Sequence, residues 1–366
     1  MIPLSKPHID EKDIQGVVET LRSGQLSLGP KLKEFETKFA SYIGTKYAIA
    51  VSSGTTGLHL CMKALNLKEG DEVITSPFSF IASSNSILYE KAKPVFVDID
   101  EKTFNIDPSK IEQKITKRTK AILPVHIFGL PAEMNSILAI AKKHNLLVIE
   151  DAAEAIGAEY QGIKAGTFGL ASVFAFYPNK QMTTGEGGMI CTDDENVYNL
   201  CKSLVNQGRA ISDQWLSHER VGYNYRLDEM SCALGLTQLD KIDLLLKKRE
   251  QVAKWYDEEL KDNPNLLLPV KTPHKRSWFV YVVRLSPDID RDLVMKLLLE
   301  KGIQTKPYLP SIHLQPAYQK LGYNEKFAVC EAVSKSSVAL PFYTDLSQND
   351  VKLVCQQLKN ILNQLH

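Results

Sequence analysis

"ASVFAFYPNKQMTTGEGGM", residues 171–189, runs from an apolar, aromatic and β-branched segment into a turn rich in threonine and glycine, and Lys180 stands at the junction. The first half reads as a buried strand. Burying an unpaired ammonium is costly, so a lysine at the end of a core strand needs a reason beyond solubility.

Outward from this stretch, residues 46–192 alternate short apolar runs with helical patterns. The runs are "YAIAVSS", "DEVITS", "KPVFVDI", "AILPVH", "LLVIED", "SVFAFYP" and "MICTDD"; "GTTGLHLCMKAL" and "PAEMNSILAIAKKHN" are among the helical segments between them. The rhythm predicts an α/β domain on a mostly parallel sheet covered on both faces. A charge-rich helical stretch, 227–260, then links it to a smaller α+β unit. That unit carries a strand in "SWFVYVVRL", a helix in "DLVMKLLLEKG", a further strand near "QTKP" and a closing helix in "QNDVKLVCQQLKNILNQL". The boundary falls near 245, giving a large domain of 1–245 and a small one of 246–366.

Hydrophobic residues make up 44% and charged residues 24% of the 366, the balance of a globular protein rather than a disordered one. A net charge of +1 supplies no field that would select nucleic acid or an anionic membrane. The opening "MIPLSKPHIDEKDIQG" lacks the basic and apolar regions of a signal peptide, and no apolar run reaches the length of a membrane helix, so the expected compartment is the cytoplasm. Six scattered cysteines show no metal-ligand spacing and read as reduced, mostly buried thiols, with three disulfides as the alternative.

A neutral lysine amine forms an imine with a carbonyl, and the aldehyde of pyridoxal phosphate is its best known biological partner. That cofactor needs an anion at its pyridine nitrogen, a phosphate cradle and a flat surface for its ring. Asp151, at the carboxyl end of the "LLVIED" strand, suits the first need; it could equally cap a following helix. "VSSGTTGLHL" runs from strand to helix through Ser-Gly-Thr, where the N–H groups of Gly54 and Thr55 can meet an anion or serve an ordinary cap. Phe80, in "DEVITSPFSFIASSNS", suits the third, in competition with Phe78.

Together "SSGTTGLHL", "GDEVITSPFSF", "VIEDAAEAIGA", "FYPNKQMTTGEGGM" and "GYNYRLDE" resemble the DegT/DnrJ/StrS family of pyridoxal-phosphate nucleotide-sugar aminotransferases, over essentially the whole chain. The resemblance implies a fold type I, aspartate-aminotransferase-like architecture with a seven-stranded, mostly parallel sheet, acting as a homodimer with shared active sites. It implies Lys180 as the imine lysine, Asp151 as the pyridinium partner, Phe80 as the stacking ring, Gly54 and Thr55 at the phosphate, and Asn224 reaching the neighbouring subunit's cofactor phosphate. Glu154, three residues after Asp151, would lie near the cofactor's phenolic oxygen. Family members usually carry serine where this chain has Ala175, so one phosphate hydrogen bond is expected to be missing.

The "EDAAEAIGA" form resembles the perosamine synthases, which aminate a GDP-linked 4-keto-6-deoxymannose; glutamate is the implied amino donor. His313 and, behind it, Tyr308 are the candidate substrate contacts, and Arg226 and Arg209 could meet anionic groups. Other readings are an aminotransferase for a UDP- or dTDP-linked 3- or 4-ketosugar, a sugar dehydratase of the same fold, and a regulatory protein. Dehydrating relatives carry histidine at the lysine position, which Lys180 opposes. A nicotinamide enzyme would need a GxGxxG turn that is absent here.

Overall fold

The seven apolar runs form the strands of one sheet in the computed structural model, which describes residues 1–210 and 217–365. They are β1 (Tyr47–Val51), β2 (Glu72–Thr75), β3 (Lys93–Phe96), β4 (Thr119–Leu123), β5 (Leu147–Asp151), β6 (Ala171–Ala175) and β7 (Gly188–Thr192). The spatial order is β1-β7-β6-β5-β4-β2-β3. Only β7 runs against its neighbours; the other adjacent pairs are parallel.

Strands buried on both faces lose the usual alternation, which is why these segments read as continuous apolar runs. β6 illustrates it. Its Phe174 packs with Phe39 of α2 (Pro30–Ile43) on one face. Its Val173 packs with Leu58 and Cys61 of α3 (Gly54–Ala64) on the other. α1 (Glu11–Ser23), α4 (Ala82–Tyr89), α5 (Met134–His144) and α6 (Glu195–Val205) complete the helices of this half.

The charged stretch after 227 is two helices, α7 (Glu229–Asp240) and α8 (Ile242–Leu260), separated at Lys241. Leu245 of α8 belongs to the core under the large sheet, whereas Val252, Ala253, Tyr256 and Leu260 belong to a second core. The latter is built on an antiparallel sheet of β8 (Leu266–Leu267), β9 (Tyr281–Leu285) and β10 (Ser337–Leu340). α9 (Arg291–Glu300), α10 (Pro316–Lys320), α11 (Ala328–Ser336) and α12 (Gln348–Leu365) accompany it. The N-terminus crosses to this second core, where Ile2 bridges to Ile303 and the Phe342 N–H donates to the Leu4 carbonyl.

The strand expected near "QTKP" is no more than a single bridge between Lys306 and Ala339. Pro307 has no N–H to extend a ladder. All six cysteines are free and buried, so the disulfide alternative does not hold. No helix among the described residues is long and apolar enough to cross a membrane.

Long-range caps hold the layers. α2 begins after Gly29, which offers no capping side chain, and the buried carboxylate of Glu229 replaces it: Oε2 accepts from Lys31 N at 2.8 Å and Oε1 from Leu32 N at 3.0 Å. Replacing Glu229 by alanine strands two helix-end N–H groups at the junction of α2 and α7. The expected loss is about 2–4 kcal/mol, read as a lowered unfolding midpoint in urea. A midpoint equal to wild type would show that water replaces the carboxylate without cost.

Candidate active site

Asp151 ends β5 and is 4% exposed. Its Oδ2 accepts a 2.6 Å hydrogen bond from the Ser83 hydroxyl in the first turn of α4, and its Oδ1 accepts from Ala153 N at 3.2 Å. The chain after it forms turns rather than a helix, so the capping alternative has no helix to cap. Burial pushes this carboxyl above the usual aspartate range, while Ser83, the Ala153 N–H and the positive charge of Lys180 oppose the rise.

Lys180 lies in the turn just past β6, its backbone N–H closing onto the Tyr177 carbonyl at 2.9 Å. Its Nζ sits 3.5 Å from Glu154 Oε1 and 3.9 Å from the centroid of the Phe279 ring. Burial pushes the ammonium below the usual lysine range, and the carboxylates of Glu154 and Asp151 pull against it. The same desolvation raises the Glu154 carboxyl.

Glu154 is fixed from its far side by Phe128, whose N–H donates to Oε2 at 2.8 Å. Phe128 has φ 54°, a left-handed conformation that a bulky residue rarely adopts. It costs about 1–3 kcal/mol, which the surrounding contacts offset. Gly129, at φ 77°, allows the tight passage that follows: a Cβ there would lie 1.8 Å from the Ser277 carbonyl oxygen. Gln181 closes the arrangement, its Nε2 donating to the carbonyls of Glu154 at 2.5 Å and Ser277 at 2.9 Å.

Beside this cluster, α3 presents its N-terminus. Ser53 caps it through the Thr56 N–H, and the N–H groups of Gly54 and Thr55 have no acceptor among the described residues. A Cβ on Gly54 would stand 2.8 Å from that of Ala175, so glycine brings the helix start against the end of β6 and leaves an anion cradle there. Phe78 is fully buried against Phe104 and Phe128, whereas Phe80 is 64% exposed. Of the two rings only Phe80 has a face free for a ligand. An amine pushed toward neutrality, a held carboxylate and two unclaimed helix-end N–H groups fit pyridoxal phosphate.

The remaining candidates divide. Tyr308 joins the cluster: Asn179 Nδ2 donates to its hydroxyl at 3.3 Å, and its ring packs edge-on to Phe128 and Phe279. His313 does not. It is buried with Nε2 3.1 Å from Glu331 and its ring edge-on to Phe327, beside a separate cavity of about 370 Å³. Asn224 is exposed, lies between Tyr223 and Tyr225 in the chain, and bridges through its backbone to Asn206. Arg226 donates to Asn206, and Arg209 bridges through its backbone to His218.

Sequence reasoning missed Ser83, Gln181 and Phe279. The first had a signal, because Ser79 and Ser83 in "SFIASS" lie one helical turn apart and their hydroxyls meet at 2.6 Å. Phe279 had a weaker one: the apolar run of "SWFVYVVRL" begins before the strand does.

Residues 7–359 match the DegT/DnrJ/EryC1/StrS aminotransferase family. The chain is 40% identical over 369 residues to the GDP-perosamine synthase of Caulobacter vibrioides, a likeness that covers 99% of this chain and 98% of that protein. Among solved structures it is similar to the Helicobacter pylori aminotransferase involved in pseudoaminic acid biosynthesis, with TM-score 0.96, 32% identity and 99% of each chain covered. It is also similar to the pyridoxal-phosphate form of a putative sugar aminotransferase from Streptococcus pneumoniae, with TM-score 0.95 and 28% identity over 100% of this chain and 99% of that one. Since the family match takes in both cores and every residue placed around Lys180, the chain belongs to the DegT/DnrJ/EryC1/StrS family of pyridoxal-phosphate-dependent sugar aminotransferases.

Proposed function

We propose that this aminotransferase moves an amino group from glutamate to a GDP-linked 4-keto-6-deoxy sugar, leaving the 4-amino sugar, and that Lys180 holds pyridoxal phosphate covalently. The observation that carries the reading is the environment of Lys180 Nζ: a largely buried amine in the turn after a strand, near one carboxylate and over an aromatic face. Only the neutral amine is a nucleophile, and burial favours it. The 40% identity to a GDP-perosamine synthase and the "EDAAEAIGA" segment support GDP over other nucleotides.

When bound, pyridoxal phosphate supplies a carbonyl carbon for amine exchange and a ring that takes up the electrons left behind by a departing proton. Asp151, held by Ser83 and the Ala153 N–H, keeps its carboxylate for the pyridine nitrogen. Gly54 and Thr55 would donate their N–H groups to the phosphate, and Phe80 would offer its face to the ring. With the cofactor bound, Lys180 Nζ would take the proton from the donor's α-carbon as a neutral amine and, as the ammonium, deliver it to the carbon that receives the amino group. Glu154 stabilises that ammonium, with its own charge moderated by burial.

The chain works as a homodimer in which Asn224 reaches the cofactor phosphate of a second copy; its exposure supports this. Its structural units divide near 245, at α8. Six unpaired, buried thiols suit the reducing cytoplasm.

The substrate assignment is tested by incubating the loaded enzyme and glutamate with GDP-4-keto-6-deoxymannose, UDP-ketosugars and dTDP-ketosugars. Amine formation is expected with the GDP compound, and turnover confined to another nucleotide would overturn that choice. Lys180→Ala should fold yet lose both the visible absorbance of the loaded protein and turnover; retained turnover would remove Lys180 from the chemistry. Ala175→Ser restores a hydroxyl beside Gly54 and should lower the cofactor dissociation constant by up to about tenfold, the worth of one charge-assisted bond. An unchanged constant would place the phosphate elsewhere. Mixed dimers carrying Lys180→Ala in one subunit and Asn224→Ala in the other should regain part of the activity that neither parent has, and none would be regained if each subunit's site were self-contained.

A further inference from the structure

Arg249, on α8, is 2% exposed, and no carboxylate lies within ion-pair distance of it among the described residues. Its guanidinium is held by neutral oxygens. Nε donates to the Trp278 carbonyl at 2.7 Å, Nη2 to the Phe279 carbonyl at 2.6 Å and Nη1 to Thr344 Oγ1 at 3.4 Å, with the Phe342 ring centroid 5.1 Å away. Burial lowers its pKa to about 10, which still leaves it charged at neutral pH. A fold that needed only a pin between helix and strand would gain nothing from burying an unneutralised charge.

The two carbonyls belong to the segment beneath the lysine. β9 does not begin until Tyr281, so no sheet ladder holds Trp278 and Phe279. Ser277, one residue before, donates its N–H to Gly129 O at 2.9 Å and accepts from Gln181, the neighbour of Lys180. The Phe279 ring lies under Nζ at 3.9 Å. We propose that Arg249 is a positioning residue for Lys180, gripping the Trp278 and Phe279 carbonyls so that the Phe279 face is held under Nζ while an unneutralised positive charge stays beside the site.

Charge and grip act together. The groups that face Nζ are Glu154 and Asp151, from the end of β5 and the turn after it, and the Phe279 face; each favours the ammonium. Tyr308 and Asn179 bring no charge, because burial keeps the phenol protonated. Desolvation and the Arg249 charge oppose the carboxylates and favour the neutral amine. Arginine suits the post because its fork reaches two successive carbonyls at once and its charge is not readily lost.

The inference rests on the role proposed for Lys180, so its test reads the amine without any turnover. Competitive acetylation of the cofactor-free full-length protein across pH, followed by mass spectrometry of the Lys180 peptide, gives the amine's titration curve. Hydrogen exchange on the 277–281 peptide gives the grip. Arg249→Gln, which keeps a donor but no charge, should shift the curve to higher pH and reduce the neutral fraction at pH 8. Arg249→Lys should keep the curve close to wild type but speed exchange at 277–281. A glutamine variant whose curve coincides with wild type overturns the proposal. If that variant does not fold, the lysine variant decides, and wild-type exchange in it overturns the proposal equally. Wild-type protein that shows the normal curve yet forms no absorbance band with pyridoxal phosphate would instead fault the role of Lys180.

Discussion

An amine and two carboxylates, all largely withheld from water at the adjoining ends of β5 and β6, set the terms for the rest of this structure. Taking any one of these groups out of water costs several kcal/mol unless it is partnered. The partners come from far along the chain: Ser83 from α4 for Asp151, the Phe128 N–H for Glu154, and the Phe279 ring for Lys180. Phe128 is held in a left-handed conformation, with Gly129 pressed against Ser277, because those partners must meet in one place. Burial prevails over the carboxylates at the lysine and holds its ammonium below the usual lysine range.

The seven strands of the large sheet were legible because strands buried on both faces leave continuous apolar runs, and each such run became a strand. Asp151 and Lys180 were legible for a related reason: a charged residue at the end of an apolar run stands out. β10 was not, since "SVAL" is short and follows a helix with no turn residues to announce it. The sequence reading put His313 ahead of Tyr308, five positions before it, with no spacing or pattern to support that order. Packing separates them, seating Tyr308 among Phe128 and Phe279 and pairing His313 with Glu331. Gln181 and Arg249 act through contacts between distant segments, and nothing in their own neighbourhoods reports such contacts.

α8 connects the two cores. Its beginning packs under the large sheet, its middle holds the carbonyls of residues 278 and 279, and its end builds the second core. The floor of the lysine site is therefore supplied by the segment that leads into the small sheet.

The central claim is that Lys180 presents a reactive amine for amino transfer. It is tested most directly by the absorbance spectrum of the wild-type protein with pyridoxal phosphate, recorded before and after glutamate. The account predicts a visible band that glutamate converts to the shorter-wavelength absorbance of pyridoxamine phosphate. No band at all, or a band that glutamate leaves untouched at saturating concentration, would contradict it.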